Sequence, residues 1–484
     1  MKRRTLIHFL EVVTLVAATG CQVDQSKEVS LYRKQLDATS PQAPSYDGDV
    51  ALNLIDALAL ANRGNEQLGL SGEDYVQAII AKHRAVAAFL PTLSFRPSFT
   101  LQQTPHNTTS VPNSLLSSGY RRINGNMSYQ TQAPVVGQMN LFNGGGDLAT
   151  LRSAEATIEQ RRQALLNTQM LIMRDVAETY YAVLRAERSV AVLTDTLHVQ
   201  QARLKDVQQQ FANGLATNLA VSQTRAQLDS TRASLVVADG DVKNSRSMLA
   251  FLIGVPHVRG KLTDGFASPA TVGDIDAFEQ QAVHGRNDLL AAAADITAAR
   301  ERVTAAISQY YPSVSLNVQG FLYREYYTDA SKWAAILQVN LPIFSAGLIE
   351  ADVRTAWSQL RQAALNESYV RRQALNDVQQ AYQNLITSDA RVSALRDEVS
   401  AAEDAYRQSR DAFNANLAIN LDVLTSQNQL LESQLELAGA EYDRSVYYLD
   451  LMRATGELTV NHVIALIASP VVTTSPTTAP TTQP

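Results

Sequence analysis

Seven histidines, one cysteine and a run of three glycines are the residues of this 484-residue chain whose types could do chemistry, and their spacing removes most of it. His8, His83, His106, His198, His257, His284 and His462 form no pair at metal-binding spacing, and Asn143-Gly144-Gly145-Gly146 lacks the Lys-Ser or Lys-Thr that completes a phosphate loop. The carboxylates are spread along helical faces, where solvation explains them. No enzyme activity, cofactor or metal is expected from these residues. A lone Cys21 also excludes an internal disulfide framework and any cysteine-built metal cage.

Cys21 has a different chemistry available to it. Lys2, Arg3 and Arg4 form a basic start, Thr5 to Ala17 a mostly apolar run, and Ala18-Thr19-Gly20-Cys21 a small-residue site ending in cysteine. The arrangement resembles a bacterial lipoprotein signal, in which the cysteine becomes the lipidated first residue. Ala18 stands where Leu is usual, and His8 and Glu11 interrupt the apolar run, so a plain secretory signal is the other reading. Both predict export.

The formal charge of -6 and pI near 5.7 argue against a nucleic-acid partner, which favours a basic face. After the signal, no stretch reaches the roughly 18 to 20 apolar residues of a membrane-spanning helix. A membrane-crossing mature chain would therefore have to be a closed barrel.

The elements that position these residues are written twice, offset by 202 residues. Phe142 returns as Phe344, Tyr180 as Tyr382, Phe211 as Phe413, Leu219 as Leu421 and Gly254 as Gly456. Val176, Val183, Val190, Leu197, Leu204 and Phe211 step by seven, answered by Val378, Leu385, Val392, Val399, Tyr406 and Phe413. A seven-residue apolar stripe predicts long helices wound on neighbours.

Two strand pairs interrupt the helices. Leu93 to Leu101 and Ile123 to Thr131 alternate apolar with polar residues, and Val314 to Leu322 and Trp333 to Leu341 echo them. One apolar face and one amide- and hydroxyl-rich face suit a strand between lipid and a watery lumen, although a soluble half-buried hairpin alternates in the same way. Four strands cannot close a barrel, since the smallest have about eight, so the membrane reading requires further copies of the chain.

The predicted organisation is a signal at 1–21, an irregular segment at 22–50, a first repeat at 51–256, a linker at 257–275, a second repeat at 276–460 and a Pro/Thr-rich disordered tail at 461–484. Each repeat should hold a helix (Asn53 to Phe89; Ala277 to Tyr310), a strand pair, a helix close to 100 Å long (Leu148 to Phe211; Ile349 to Phe413) and a returning helix (Asn218 to Ile253; Asn420 to Thr455). The first hairpin is 19 residues longer, with the excess at Thr104 to Arg121. Gly214 and Asn416, equivalent in the two repeats, should end the long helices in the left-handed conformation.

Leu141-Phe142-Asn143-Gly144-Gly145 and Leu341-Pro342-Ile343-Phe344-Ser345-Ala346-Gly347 after the hairpins, with Phe211-Ala212-Asn213-Gly214-Leu215 and Phe413 to Leu424 at the helix tips, resemble the outer-membrane efflux proteins of the TolC type. The resemblance covers about residues 51 to 460. It implies a mainly α fold with one β-hairpin per repeat, assembled as a homotrimer. Duplicated coiled-coil helices then form an α-barrel tunnel, joined to a transmembrane β-barrel of about twelve strands. The chain would be an exit duct of a tripartite efflux or type I secretion system, serving an inner-membrane pump through a periplasmic adaptor. It would sit in the outer-membrane lipid and reach into the periplasm. A periplasmic coiled-coil scaffold that does not span the membrane is the alternative.

The resemblance also implies sites. Asp422 matches the first position of the acidic periplasmic constriction, and Thr425 stands where the family has a second acid. Three such carboxylates around an axis favour cations; a carboxylate is equally at home in the first turn of a helix. Ala418 replaces an arginine that can lock the closed state, and Ala220 lies opposite Asp422 in the first repeat. Asn213, Gly214 and Leu215, with Ala415, Asn416 and Leu417, match tips that adaptors grip, and turn chemistry explains them as well.

Overall fold

The computed structural model describes residues 25–38, 40–103, 121–124, 127–263, 273–324, 332–415 and 417–468. Cys21, Asn416, most of the long hairpin loop and the tail beyond 468 lie outside the described residues. The first half runs α1 (Gln25–Asp37), β1 (Leu52–Asn53), α2 (Leu54–Gly64), α3 (Glu66–Ala87), β2 (Thr92–Phe95), β3 (Ser98–Gln103), β4 (Arg121–Asn124), β5 (Met127–Asn143), α4 (Gly146–Ala212) and α5 (Asn218–Leu252). The second runs β6 (Leu262–Thr263), α6 (Ile275–Gly285), α7 (Asn287–Ser308), β7 (Ser313–Arg324), β8 (Trp333–Asn340), α8 (Leu348–Asn414), α9 (Asn420–Thr455) and α10 (Val460–Ala468). The long helices α4 and α8 have 67 residues each, hence about 100 Å. No helix among the described residues is long and apolar enough to cross a membrane.

The chain forms two compact units, one comprising residues 77–161 and 291–369. Its sheet runs in the order β2-β5-β7-β8, with β3 continuing along β2's edge of β5 and β4 also paired to β5. The β5–β7 ladder joins the two hairpins into one sheet. Register places Leu93, Phe95, Val135, Gly137, Met139, Leu316, Val318, Ala335, Leu337 and Val339 on one face. Ser94, Gln138, Asn140, Ser315, Asn317, Gln319, Gln338 and Asn340 share the other. The apolar face is open: Leu93 is 78% and Val339 63% exposed. Beneath the sheet, Val303 and Ala306 of α7 pack on Ala356 of α8, and Ser153 of α4 donates to the Ala298 carbonyl at 3.1 Å. Small residues permit this close helix approach.

The strand boundaries correct the expectation. Leu93 to Leu101 is two strands, because Pro97 between them offers no N–H to the ladder: Phe95 pairs with Val135, Arg96 N–H donates to the Pro134 carbonyl at 3.0 Å, and pairing resumes at Ser98 with Gln132. Ile123 to Thr131 is likewise not one strand: β4 and β5 pair antiparallel, with Asn124 opposite Met127. The two residues between them in the sequence, Gly125-Asn126, are a hairpin signal, which outweighs the alternation running through it.

The other unit holds the remaining described residues. Its middle is pinned by Tyr180, fully buried, whose hydroxyl lies 2.9 and 2.8 Å from the carbonyls of Leu52 and Thr263 and accepts the Thr263 N–H at 3.1 Å. That hydroxyl fastens the parallel β1–β6 ladder, which places a strand in the linker expected to be irregular. Segment 22–50 is corrected too, since it contains α1: Leu36 is fully buried, and Arg33 donates to the Asn62 and Arg63 carbonyls at 2.8 and 3.0 Å. These carbonyls end α2 and need donors. The tail assigned to disorder from 461 begins as α10, with Val460 and Val463 fully buried.

The seven-step stripe is real but is only one flank of the seam. Val176, Val183, Val378 and Leu385 are buried, yet Phe211 is 47% exposed. Toward the tips the buried flank lies three residues on, at Leu193, Gln200 and Val207, answered by Leu395 and Ala402. Two flanks three and four residues apart make a coiled-coil seam.

The helices expected at Asn53 to Phe89 and Ala277 to Tyr310 are each broken in two. Asn65 and Arg286 sit at the breaks with extended ψ of 120° and 126°. At each break a glycine backbone meets another. A Cβ on Gly254 would lie 2.5 Å from the Gly64 oxygen, and one on Gly456 2.8 Å from that of Gly285. Gly254 and Gly456 also hold φ of +69° and +85°, so the repeat keeps glycine there for two reasons.

Candidate functional site: the helix tips

The tips of the two helix pairs are built on the same backbone bonds. After α4, Leu215 N–H donates to the Gln210 carbonyl at 2.8 Å and Gly214 N–H to Phe211 at 3.0 Å, with Gly214 at φ +70°. That is a Schellman ending, which uses carbonyls the helix leaves unpaired. After α8, Leu417 N–H donates to Ala412 at 2.8 Å and Ala415 N–H to Asp411 at 3.0 Å. Asn416 itself lies outside the described residues. Leu215 and Leu417, 76% and 83% exposed, present apolar side chains at both tips. Asn213 and Ala415 are exposed beside them.

The returning helices start differently. Thr217 caps α5 by accepting the Ala220 N–H at 3.2 Å. Ile419 precedes α9 and has no such oxygen, so Asp422 reaches back and accepts the Ile419 N–H at 3.0 Å. A carboxylate three residues into a helix is the acidic half of a capping box, and the dipole favours it. Asp422 is exposed, as is Thr425, whose hydroxyl donates to the Leu421 carbonyl at 2.9 Å within its own helix. Leu219, Ile419 and Leu421, each at least half exposed, are apolar residues at the same two helix starts.

Arg203 is the residue that sequence reading missed. It stands on α4, only 8% exposed, with its guanidinium carbon 4.1 Å from the centre of the Phe413 ring on α8. One Nη donates to Asn420 Oδ1 at 3.2 Å; Asn420 Nδ2 in turn faces Thr224 Oγ1 and the Ala220 carbonyl on α5, at 3.2 and 3.4 Å. One buried group thus joins all four helices below the tips. Desolvation pushes the guanidinium pKa down, against the opposing pull of Tyr406 and Asp206, and burial pushes the Tyr406 hydroxyl up, against Arg410 and Arg203. Arg203 adjoins the apolar position Leu204 in a Gln-rich run, so no motif marked it. Among the described residues no three His, Cys, Asp or Glu side chains converge as a metal site would require.

Comparison with known proteins agrees with this architecture. The profile of the family described as outer membrane efflux protein matches residues 76–255 and 279–457. "Probable outer membrane lipoprotein SilC" of Salmonella typhimurium is 22% identical over 307 residues, which are 62% of this chain and 65% of that protein, so the match spans just under two thirds of SilC. "Outer membrane protein TolC" of Escherichia coli K12 is 23% identical over 460 residues, 89% of this chain and 88% of that one. Among solved structures, the outer membrane protein VceC of Vibrio cholerae superposes with a TM-score of 0.71 at 20% identity, covering 83% of this chain and 96% of VceC. With its profile matched in both halves and its fold shared with that outer membrane protein, the chain belongs to the outer membrane efflux protein family.

Proposed function

We propose that the chain is the exit duct of a tripartite export system, in which three copies close one outer-membrane β-barrel and one helical tunnel. The observation that carries this is the sheet. It is four strands wide, apolar over a whole face, and among the described residues unpaired at the outer edges of β2 and β8. In lipid such edges must find partners, and copies of the same sheet supply them. Aromatic residues stand at both ends of the strands: Tyr323 and Trp333 at one, Tyr310, Tyr311, Phe142 and Phe344 at the other, all about half exposed or more. Aromatic girdles of this kind mark the two interfaces of membrane barrels.

The site assignments follow from the duct. Asp422, repeated by symmetry, forms a single acidic ring at the periplasmic constriction, with Thr425 adding hydroxyls and no second charge. Residues 213–215 and 415–417 are the tips offered to a periplasmic adaptor, through which an inner-membrane pump delivers its cargo. Cys21 carries the lipid anchor; SilC, named as an outer membrane lipoprotein, supports that reading. Purified outer-membrane fractions should yield heat-modifiable trimers that conduct ions in planar bilayers. Recovery of soluble periplasmic monomers would overturn the proposal.

A further inference from the structure

The two helix breaks are equivalent turns filled by different chemistry. In the first half Asn65 Nδ2 donates to the Leu252 carbonyl at 3.0 Å, while its Oδ1 accepts the N–H groups of Gln67 and Leu68 at 3.0 and 3.3 Å. The neutral side chain thus closes one helix end and caps α3. In the second half Arg286 faces the corresponding carbonyl, that of Ala454, from 3.5 Å. A guanidinium accepts nothing, so it cannot cap α7; Asp288 bonds the first-turn N–H of Leu289 at 2.9 Å instead.

Arg286 then needs counter-charge. Its side chain is 8% exposed, and it forms a two-pronged pair with Asp288 at 3.0 and 2.7 Å and a bond to Asp377 Oδ2 at 3.0 Å. Asp377 lies on α8, 18% exposed, and Arg453 of α9 approaches it to 3.8 Å. The repeat counterpart of Asp377 is Asp175 on α4, which is 53% exposed and pairs with its neighbour Arg174 at 3.2 Å. Phe251 replaces Arg453.

We propose that Arg286 and Asp377 form an ionic tether that fixes the long helix α8 to its helix break, whereas among the described residues α4 is tied beside its own break by a neutral bond, Gln169 Nε2 to Asn62 Oδ1 at 2.7 Å. The second half therefore carries at its break a charge pair that a single substitution releases, beside the Gln379–Glu279 bond at 2.9 Å and the Phe278–Tyr382 ring contact between α8 and α6. The first half is held by neutral amide bonds, from Asn65 to α5 and from Gln169 of α4 to Asn62. Arg286 is a positioning residue: it sets where α8 sits.

The test is hydrogen exchange on full-length protein in detergent. In Asp377→Asn, amides at 370–385 should exchange on the order of tenfold faster than in the parent, because Arg286, still paired with Asp288, loses its charged partner on α8. Asp377→Glu should restore slow exchange. Asp175→Asn should leave amides at 168–183 unchanged. Equal acceleration by both asparagine variants, or by neither, overturns the tether. Should Asp377→Asn fail to assemble, the double variant Arg286→Asn/Asp377→Asn removes both ends of the tether and must show the same acceleration; exchange at the parent rate overturns the proposal. Bilayer conductance reads the consequence and rests on the duct reading, with Asp377→Asn expected to raise open-channel occupancy and Asp175→Asn not. If no variant conducts, parent included, the duct reading fails while the exchange result still decides the tether.

Discussion

The guanidinium of Arg203 stacks on Phe413 and is hydrogen-bonded to Asn420, an amide where a buried arginine would ordinarily find a carboxylate. Cation–π attraction contributes about 1–2 kcal/mol, set against the desolvation of a whole charge. Arg203→Met keeps the volume and removes the charge, so the thermal midpoint in detergent should hold or rise. Arg203→Ala should cost about 2–4 kcal/mol through the cavity and the stranded Asn420. A large loss in the Met variant would show that the stack outweighs desolvation.

Asp422 has a charge and a cap, and two substitutions separate them. Asp422→Asn keeps an oxygen for the Ile419 N–H and removes the charge, whereas Asp422→Ala removes both. Single-channel recording should show reduced cation preference in each, while thermal unfolding should show a loss of about 1 kcal/mol in the alanine variant alone. Unchanged selectivity would leave Asp422 as a capping residue only.

Gly144 and Ala346 are repeat counterparts that both hold positive φ, +68° and +50°. Ala346→Gly should stabilise by about 0.5–1 kcal/mol, since glycine adopts that conformation without strain. Gly144→Ala should be strongly destabilising, because its Cβ would sit 2.5 Å from the Ser308 carbonyl oxygen. Melting temperatures of the two variants should therefore move in opposite directions.

Leu337 and Gln338 are neighbours on β8 that face opposite sides of the sheet. Leu337→Lys puts a charge on the apolar face and should cost about 2–4 kcal/mol and much of the outer-membrane yield, read as heat-modifiable trimer. Gln338→Lys should insert normally. Equal tolerance of the two would argue that neither face meets lipid.

Much of the site was legible locally. Gly214 and its exposed neighbour Leu215 could be read because a left-handed helix ending is a property of a few consecutive residues. Asp422 was placed at a helix start for the same reason. Its back-bond to Ile419 depends on which residue is the first of α9, and that boundary is set by the fold. Arg203 could not be read at all: its environment is made by Phe413 and Asn420, more than 200 residues away in the chain.

What the sequence determined by itself was the period: seven-residue seams, two-residue alternation and a 202-residue repeat, each a consequence of backbone geometry acting on neighbours. Where those periods stop was decided by tertiary structure. Asn65 and Arg286 break helices whose apolar pattern runs on, because glycine backbones must meet there, Gly64 on Gly254 and Gly285 on Gly456. The two breaks share a backbone and differ in charge, and the long-range partner of that charge, Asp377, is supplied only when α8 packs alongside.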